Sequence, residues 1–251
     1  MLHVLMPISI RMTTQPTPDF AILDIQWALH PARLGNLLAV ATSTGLLAFY
    51  VLNAQGELSH VATEKICDDS ILVLSLCWHP LRPDIIGLTL SNGEVCLCQS
   101  SAGKLWSGDG ISLTTVYQHS LETWMIAFGA PQDVQVDVLS GGDDQVLHRS
   151  AVNDEFDCSM LWEDRRIHQA GVTAILPLSR DLILTGSYDD HLRLISAPVS
   201  GRRQALAEEN LGGGVWRLKL LKAEGAGGNA AASAEVNRYV VHLFQHLDPL
   251  F

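Results

Sequence analysis

The chain has 251 residues, 47% of them apolar and 17% charged, enough apolar material for one sizeable core. Sixteen basic residues against 27 acidic ones leave a formal charge of −11 with no Lys/Arg patch, which argues against a nucleic-acid binder and toward a cationic protein partner. No apolar run reaches the roughly 18 to 20 residues of a membrane span, and Cys67, Cys77, Cys96, Cys98 and Cys158 lack metal-ligand spacing, so a cytoplasmic protein without cofactor or metal is expected.

Residues 1–20 read as a poorly ordered leader: Met1 to Ile10 is apolar, but it lacks the basic start of a signal peptide and Arg11 interrupts it. From Ala21 one pattern recurs: an apolar strand, a gap, a second apolar strand ending in small or polar residues, then a third strand. Its copies anchor at Ile25-Gln26-Trp27, Leu76-Cys77-Trp78, Ile126-Ala127-Phe128, Ala174-Ile175-Leu176 and, more weakly, Leu218-Lys219-Leu220. The turns after the second strands fall at Thr44-Gly45, Asn92-Gly93, Asp143-Asp144 and Asp189-Asp190. A self-similar period of roughly 40 to 50 residues built from short strands is the signature of a β-propeller. A two-sheet sandwich, the rival, predicts close-spaced turns but no long-range copy of a block. The expectation is therefore an all-β, WD-type β-propeller of about five blades over residues 21–222.

Within the fourth copy, Val172–Leu176, Leu182–Gly186 and Leu192–Ile195 are predicted strands, and Tyr188-Asp189-Asp190-His191 carries turn chemistry. Cys96 and Cys98 share one strand face as core thiols, and Trp27 and Trp78 read as core packing. Gly201–Leu211 reads as a polar connector between copies. Residues 223–251 read as a low-complexity loop, AEGAGGNAAASAE, followed by an atypical C-terminal strand.

The third strands are similar to the WD-repeat pattern Asp-Gly-x-apolar-x-apolar-Trp-Asp, with Tyr50, Cys98, Arg149 and Ile195 at the Trp position. His119 and His168 precede the third and fourth copies, with Ser140, Thr185 and Ser187 on second strands. Such His, Ser/Thr and Asp residues serve WD repeats as a buried hydrogen-bonded tie within the blade.

Five segments carry a more specific resemblance: AILDIQW (Ala21–Trp27), HSLETWMIAF (His119–Phe128), SGGDD (Ser140–Asp144), TGSYDDH (Thr185–His191) and GGGVWR (Gly212–Arg217). In this order they resemble the WD-repeat diphthine methylesterases of diphthamide biosynthesis, over about Ala21 to Lys219. Members of that family carry a blade before AILD and more after GGGVWR, so the resemblance implies an incomplete seven-bladed ring, for which a truncated or misjoined gene product is one explanation. A closed five-bladed ring is the alternative.

The resemblance implies hydrolysis of the methyl ester of methylated diphthine, a modified histidine on translation elongation factor 2, giving diphthine and methanol. The ester stands beside a trimethylammonium group, which aromatic rings and carboxylates can hold. Trp124 or Trp216, with Asp143, Asp144, Asp189 or Asp190, are candidates for that cation, and Arg217 for a further substrate contact. His119 and His168 are candidate bases, and Asp143 or Asp189 candidate activators of water. Ser140 and Ser187 offer hydroxyls, and the backbone at Gly141-Gly142 or Gly212-Gly213-Gly214 offers donors for the oxyanion. No Gly-x-Ser-x-Gly elbow, HExxH or Cys-x-x-Cys pair is present. Asp24 suits a turn or cap as well as a site. The alternative function is a non-catalytic WD scaffold or substrate adaptor, separable by whether these side chains converge near the propeller axis or spread over the rim.

Overall fold

A computed structural model describes residues 19–101, 105–108, 110–130, 136–221 and 238–244. The expected leader up to residue 18, the Ala223–Glu235 loop and Gln245–Phe251 lie outside the described residues.

The first sheet comprises β1 (Ile22–Trp27), β2 (Leu37–Thr42), β3 (Leu46–Leu52) and β4 (Leu58–Lys65), with a short helical turn, Pro31–Leu34, between β1 and β2. The second holds β5 (Val73–Trp78), β6 (Ile85–Leu90), β7 (Glu94–Ser100) and β8 (Ile111–Gln118). The third holds β9 (Thr123–Phe128), β10 (Val138–Gly142), β11 (Leu147–Val152) and β12 (Cys158–Asp164). The fourth holds β13 (Val172–Pro177), β14 (Leu182–Ser187), β15 (His191–Ser196) and β16 (Gln204–Asn210). Each is an antiparallel meander in sequence order, and β17 (Gly214–Leu221) pairs with β18 (Arg238–Phe244) in a two-stranded fifth sheet. The described residues are thus all-β, with four full blades of WD type and two strands of a fifth. Among the described residues no ring is closed.

Burial explains the strand compositions. The second strands β2, β6 and β10 are buried throughout, so apolar residues run almost continuously along them. The outer strands alternate or are wholly exposed, which explains the polar β16. Gly201–Leu211 is therefore not a connector: it contains the outer strand of the fourth blade, polar because solvent bathes both its faces. Successive blades pack through small residues on the second strands. A Cβ at Gly141 would lie 2.6 Å from Val172, and at Gly186 2.3 Å from Val215. The same relation thus recurs at the third–fourth and fourth–fifth joints.

The register corrects the sequence reading by one residue in places. Left-handed backbone marks the equivalent turn position as Gly45 (φ 68), Gly93 (φ 87), Gln145 (φ 65) and Asp190 (φ 65). Asp144 is thus the counterpart of Asp189, not of Asp190, and Asp143 is the counterpart of Tyr188. Pairing of Ser140 with both Ile126 and His148, and of Thr185 with both Ile175 and Arg193, shifts two other assignments. The fourth anchor is Ile175-Leu176-Pro177, and the third Trp-position residue is Ser150 rather than Arg149.

Cys96, Cys98 and Trp78 are core residues between the first two blades. Trp27 is not: it is 48% exposed, as are Ile22, Ile25 and Leu29 to a similar degree. β1 belongs to the first blade of the described chain, and no other blade covers that face of it.

Candidate functional site

Each innermost strand breaks register at the same point, leaving Leu23, Leu74, Trp124, Thr173 and Trp216 outside the ladder. Such β-bulges kink the strand and re-aim side chains. In the third and fifth blades the bulged residue is tryptophan. The two indoles meet with ring centroids 5.6 Å apart, and Tyr188 of the fourth blade completes the cluster at 6.4 Å from Trp124 and 5.8 Å from Trp216. Tyr188 is 39% exposed and both indoles are partly so, leaving the cluster open to solvent.

Asp143 stands beside these rings, accepting the Trp124 Nε1–H at 2.5 Å. Burial pushes its carboxyl above the usual carboxylate range; the indole donor opposes that, while the charges of Glu122 and Asp144 add to it. Glycines permit the close approach. A Cβ at Gly171 would lie 2.4 Å from Asp143 Oδ1, and one at Gly214 would lie 3.0 Å from the Tyr188 ring. In both cases the turn residue of one blade overlies the start of the next blade's inner strand.

One residue beyond each bulge, Asp24, Ser75, Met125, Ala174 and Arg217 occupy equivalent places. Four of them touch. Asp24 Oδ2 accepts from Leu76 N at 3.0 Å and Ser75 Oγ at 3.4 Å. Its Oδ1 accepts from Arg217 Nη2 at 3.0 Å, and Arg217 Nη1 lies 4.0 Å from Met125 Sδ. This pair ties the first inner strand to the fifth across the blade arc. Asp24 is buried, and burial raises its carboxyl pKa while Arg217 and the N–H donors oppose the rise. Because Met125 follows Trp124 and Arg217 follows Trp216, the ion pair borders the aromatic cluster.

The other candidates lie inside blades. His119 is 1% exposed; its Nδ1–H donates to Asp144 Oδ1 and its Nε2 accepts from Ser140, both at 2.9 Å. Burial would raise the Asp144 pKa, but the His119 bond and the N–H groups of Ser120 and Val146 hold it below the usual range. His148, where the first two blades have Ala48 and Cys96, lies between Ser140 and Ser150 and links into the same network.

In the fourth blade Arg193, the counterpart of His148, intervenes between the histidine and the aspartate. Its Nη1 bonds both Asp189 oxygens at 2.7 and 2.8 Å and donates to His168 Nδ1 at 3.2 Å. Burial and the Arg193 charge push His168 down to about 4, and its Nε2 and the Thr185 hydroxyl are buried without hydrogen-bond partners. Ser187 donates to Ala170 O, and Asp190 supplies the left-handed turn residue.

The structure therefore brings together Asp143, Trp124, Trp216 and, beside them, Arg217. It leaves His119 with Asp144 in the third blade, and His168, Asp189 and Asp190 in the fourth. Tyr188, the third ring, was missed because the aspartate pairs were aligned one residue out; its signal was the ladder Ser43, Ser91, Asp143, Tyr188 just before each turn pair. Gly141 and Gly142 serve close packing, against Val172 and against the Glu122 carbonyl. Among the described residues no group of three or more His, Cys, Asp or Glu could hold a metal, and no helix is long and apolar enough to cross a membrane.

Repeated four-stranded meanders, left-handed turn residues and the His–Ser–Asp tie of the third blade define a WD-type β-propeller protein. No protein-family profile matches the chain. It is 32% identical over 207 residues to the diphthine methyltransferase of Schizosaccharomyces pombe, covering 80% of this chain and 57% of that protein. The diphthine methyltransferase of Homo sapiens is 30% identical over 215 residues, 79% of this chain and 44% of that protein. That of Saccharomyces cerevisiae is 37% identical over 118 residues, 40% and 29% respectively. The chain is homologous to these diphthine methyltransferases. It spans about half the length of the curated relatives it matches.

Proposed function

We propose that this chain takes part in diphthamide biosynthesis in the cytoplasm by hydrolysing the methyl ester of methylated diphthine on translation elongation factor 2. Hydrolysis transfers the acyl carbon from methoxide to water, so the methyl group leaves with its oxygen as methanol. The observation that carries the reading is the open cluster of Trp124, Tyr188 and Trp216 with Asp143 at its edge. Three π faces and one carboxylate suit a quaternary ammonium, which cannot donate hydrogen bonds and is recognised by ring quadrupoles and charge.

In methylated diphthine the ester is attached to the carbon that bears the trimethylammonium group, so a cation held by the rings brings the carbonyl beside Asp143. On this reading Asp143 removes a proton from water as the water oxygen attacks the carbonyl carbon. The tetrahedral oxyanion then collapses, the C–OCH₃ bond breaks, and the departing methoxide takes a proton to leave as methanol. Arg217, held by Asp24, is the nearby cation suited to the oxyanion and to the product carboxylate. His119, His168, Asp144 and Asp189 act through blade stability in this scheme.

The test is incubation of the chain with elongation factor carrying methylated diphthine, followed by mass measurement of the modified peptide and of methanol. Loss of one CH₂ unit by the wild type, abolished in Trp124→Ala and Trp216→Ala, supports the reading. Turnover indifferent to both rings refutes the cage. Neither turnover nor binding of a trimethylammonium-bearing peptide refutes the function.

A further inference from the structure

The joints between successive blades are filled differently. Between the first and second blades the β7–β8 connection inserts Trp106, only 1% exposed. Its ring stacks on Phe49 at 5.0 Å, meets Trp78 edge-on at 5.7 Å, and donates from Nε1 to Pro83 O at 2.9 Å. Between the third and fourth blades the buried Arg149 fills the joint, bonding Asp137 at 2.8 Å and the Ala197 carbonyl at 2.9 Å.

Among the described residues, the joint between the second and third blades lacks such a plug. Phe156, in the β11–β12 hairpin, shares with Trp106 a left-handed backbone (φ 65 and φ 55) and the same direction of approach toward the preceding blade. Yet it stays partly exposed, with the Arg82 guanidinium 5.4 Å from its ring centroid. A cavity of about 380 Å³ remains, lined chiefly by His79, Ile85, Phe128, Val138, Val152 and Phe156. That volume lies within the range of sites that take a ligand group.

Its walls are aromatic and aliphatic. The His79 ring packs on Phe128 at 4.7 Å, and its Nδ1 accepts the N–H groups of Leu81 and Arg82, so the imidazole is a fixed wall. At the mouth Arg82 is neutralised by Asp84 at 2.7 Å, whereas Asp154 and Glu155 are exposed with no basic partner among the described residues. The uncompensated charge at the rim is therefore negative, as is that of the whole chain.

We propose that this cavity is a docking site for a partner protein's extended segment, which inserts one aromatic side chain flanked by Lys or Arg. The inserted ring would complete the second joint as Trp106 completes the first, and the basic flanks would meet Asp154 and Glu155. The site lies at the end of the blades away from the turns that carry Asp143 and Tyr188, so it is separate from the aromatic cluster and does not depend on the esterase reading.

The test uses full chain labelled at its methyl groups and aromatic rings and three capped pentapeptides: a central Trp between lysine pairs, the same with central Ala, and the Trp peptide with glutamate flanks. Expected are resonance shifts at Ile85, Val138 and Val152 with the lysine-flanked Trp peptide, none with the Ala peptide, and about tenfold weaker binding with glutamate flanks. Asp154→Lys with Glu155→Lys, both on exposed positions, should reverse the flank preference. Val152→Phe should block binding while the Trp106 indole resonance reports an intact neighbouring joint. Equal binding of Trp and Ala peptides, indifference to flank charge, shifts confined to Trp124, Tyr188 and Trp216, or no shift at all would each overturn the proposal.

Discussion

Replacing His119 by alanine separates a structural tie from a catalytic base. The imidazole is sealed from solvent and makes two bonds of 2.9 Å, one to the Asp144 carboxylate and one to the Ser140 hydroxyl. The carboxylate bond is worth about 1.5–3 kcal/mol and the hydroxyl bond about 1 kcal/mol. Both partners keep other contacts: Asp144 retains the N–H groups of Ser120 and Val146, and Ser140 retains His148 at 3.4 Å. The expected cost is therefore about 3 kcal/mol. For a chain of this size each kcal/mol lowers Tm by roughly 2–4 °C, so His119→Ala should melt about 6–12 °C below wild type. Assayed well below that melt on elongation factor carrying methylated diphthine, the variant should keep turnover within a few-fold of wild type. His168→Ala should cost less, because the bond from Arg193 is the single partner of that ring and Arg193 keeps Asp189. An unchanged melt with turnover reduced by about 10² or more would refute this reasoning and make His119 the base.

Tyr188→Ala should raise KM for the methylated substrate at least tenfold, whereas Tyr188→Phe, which keeps the π face, should be near wild type in the same assay. The rate should rise with pH through a limb above the ordinary carboxylate range, since burial raises Asp143 and only its ionised form accepts a proton; Asp143→Asn should abolish that limb along with most of the rate. Gly214→Val should weaken substrate binding more than it lowers Tm, because the new side chain meets Tyr188 rather than the blade core, and calorimetry beside a KM measurement checks this. Stability should fall as pH drops from 6.5 toward 4: burial holds His79 and His168 near 4 and His148 near 3, so the unfolded chain binds protons that the folded chain refuses. A melting temperature flat across that window would show that these rings are solvated.

What the sequence disclosed and what it concealed follow from the same periodicity. Fold class was legible because each blade must bury its second strand on both faces, and that requirement writes apolar runs such as Leu37–Thr42 and Ile85–Leu90 at a steady interval. Outer strands carry no such demand, so Gln204–Asn210 looked like a connector. Trp27 was misjudged for the complementary reason: its spacing matches that of Trp78, but burial depends on whether a further blade covers the strand. The one-residue slip at Asp143 and Asp144 has a conformational origin. Glycine marks the left-handed turn position in the first two blades, whereas Gln145 and Asp190 occupy it in the next two, and two adjacent aspartates invite alignment with the wrong pair. Correcting that slip exposes Tyr188 as the partner of Asp143 and gathers the aromatic cluster from three blades. The Asp24–Arg217 pair was hidden more deeply, since the two residues stand 193 positions apart and only the curvature of successive blades brings them to 3.0 Å. The bulged residues of a propeller's inner strands thus escape the constraint that keeps the rest of each blade apolar. Two tryptophans at those places, where leucine or threonine stands in the other blades, are the departure from repetition that marks the site.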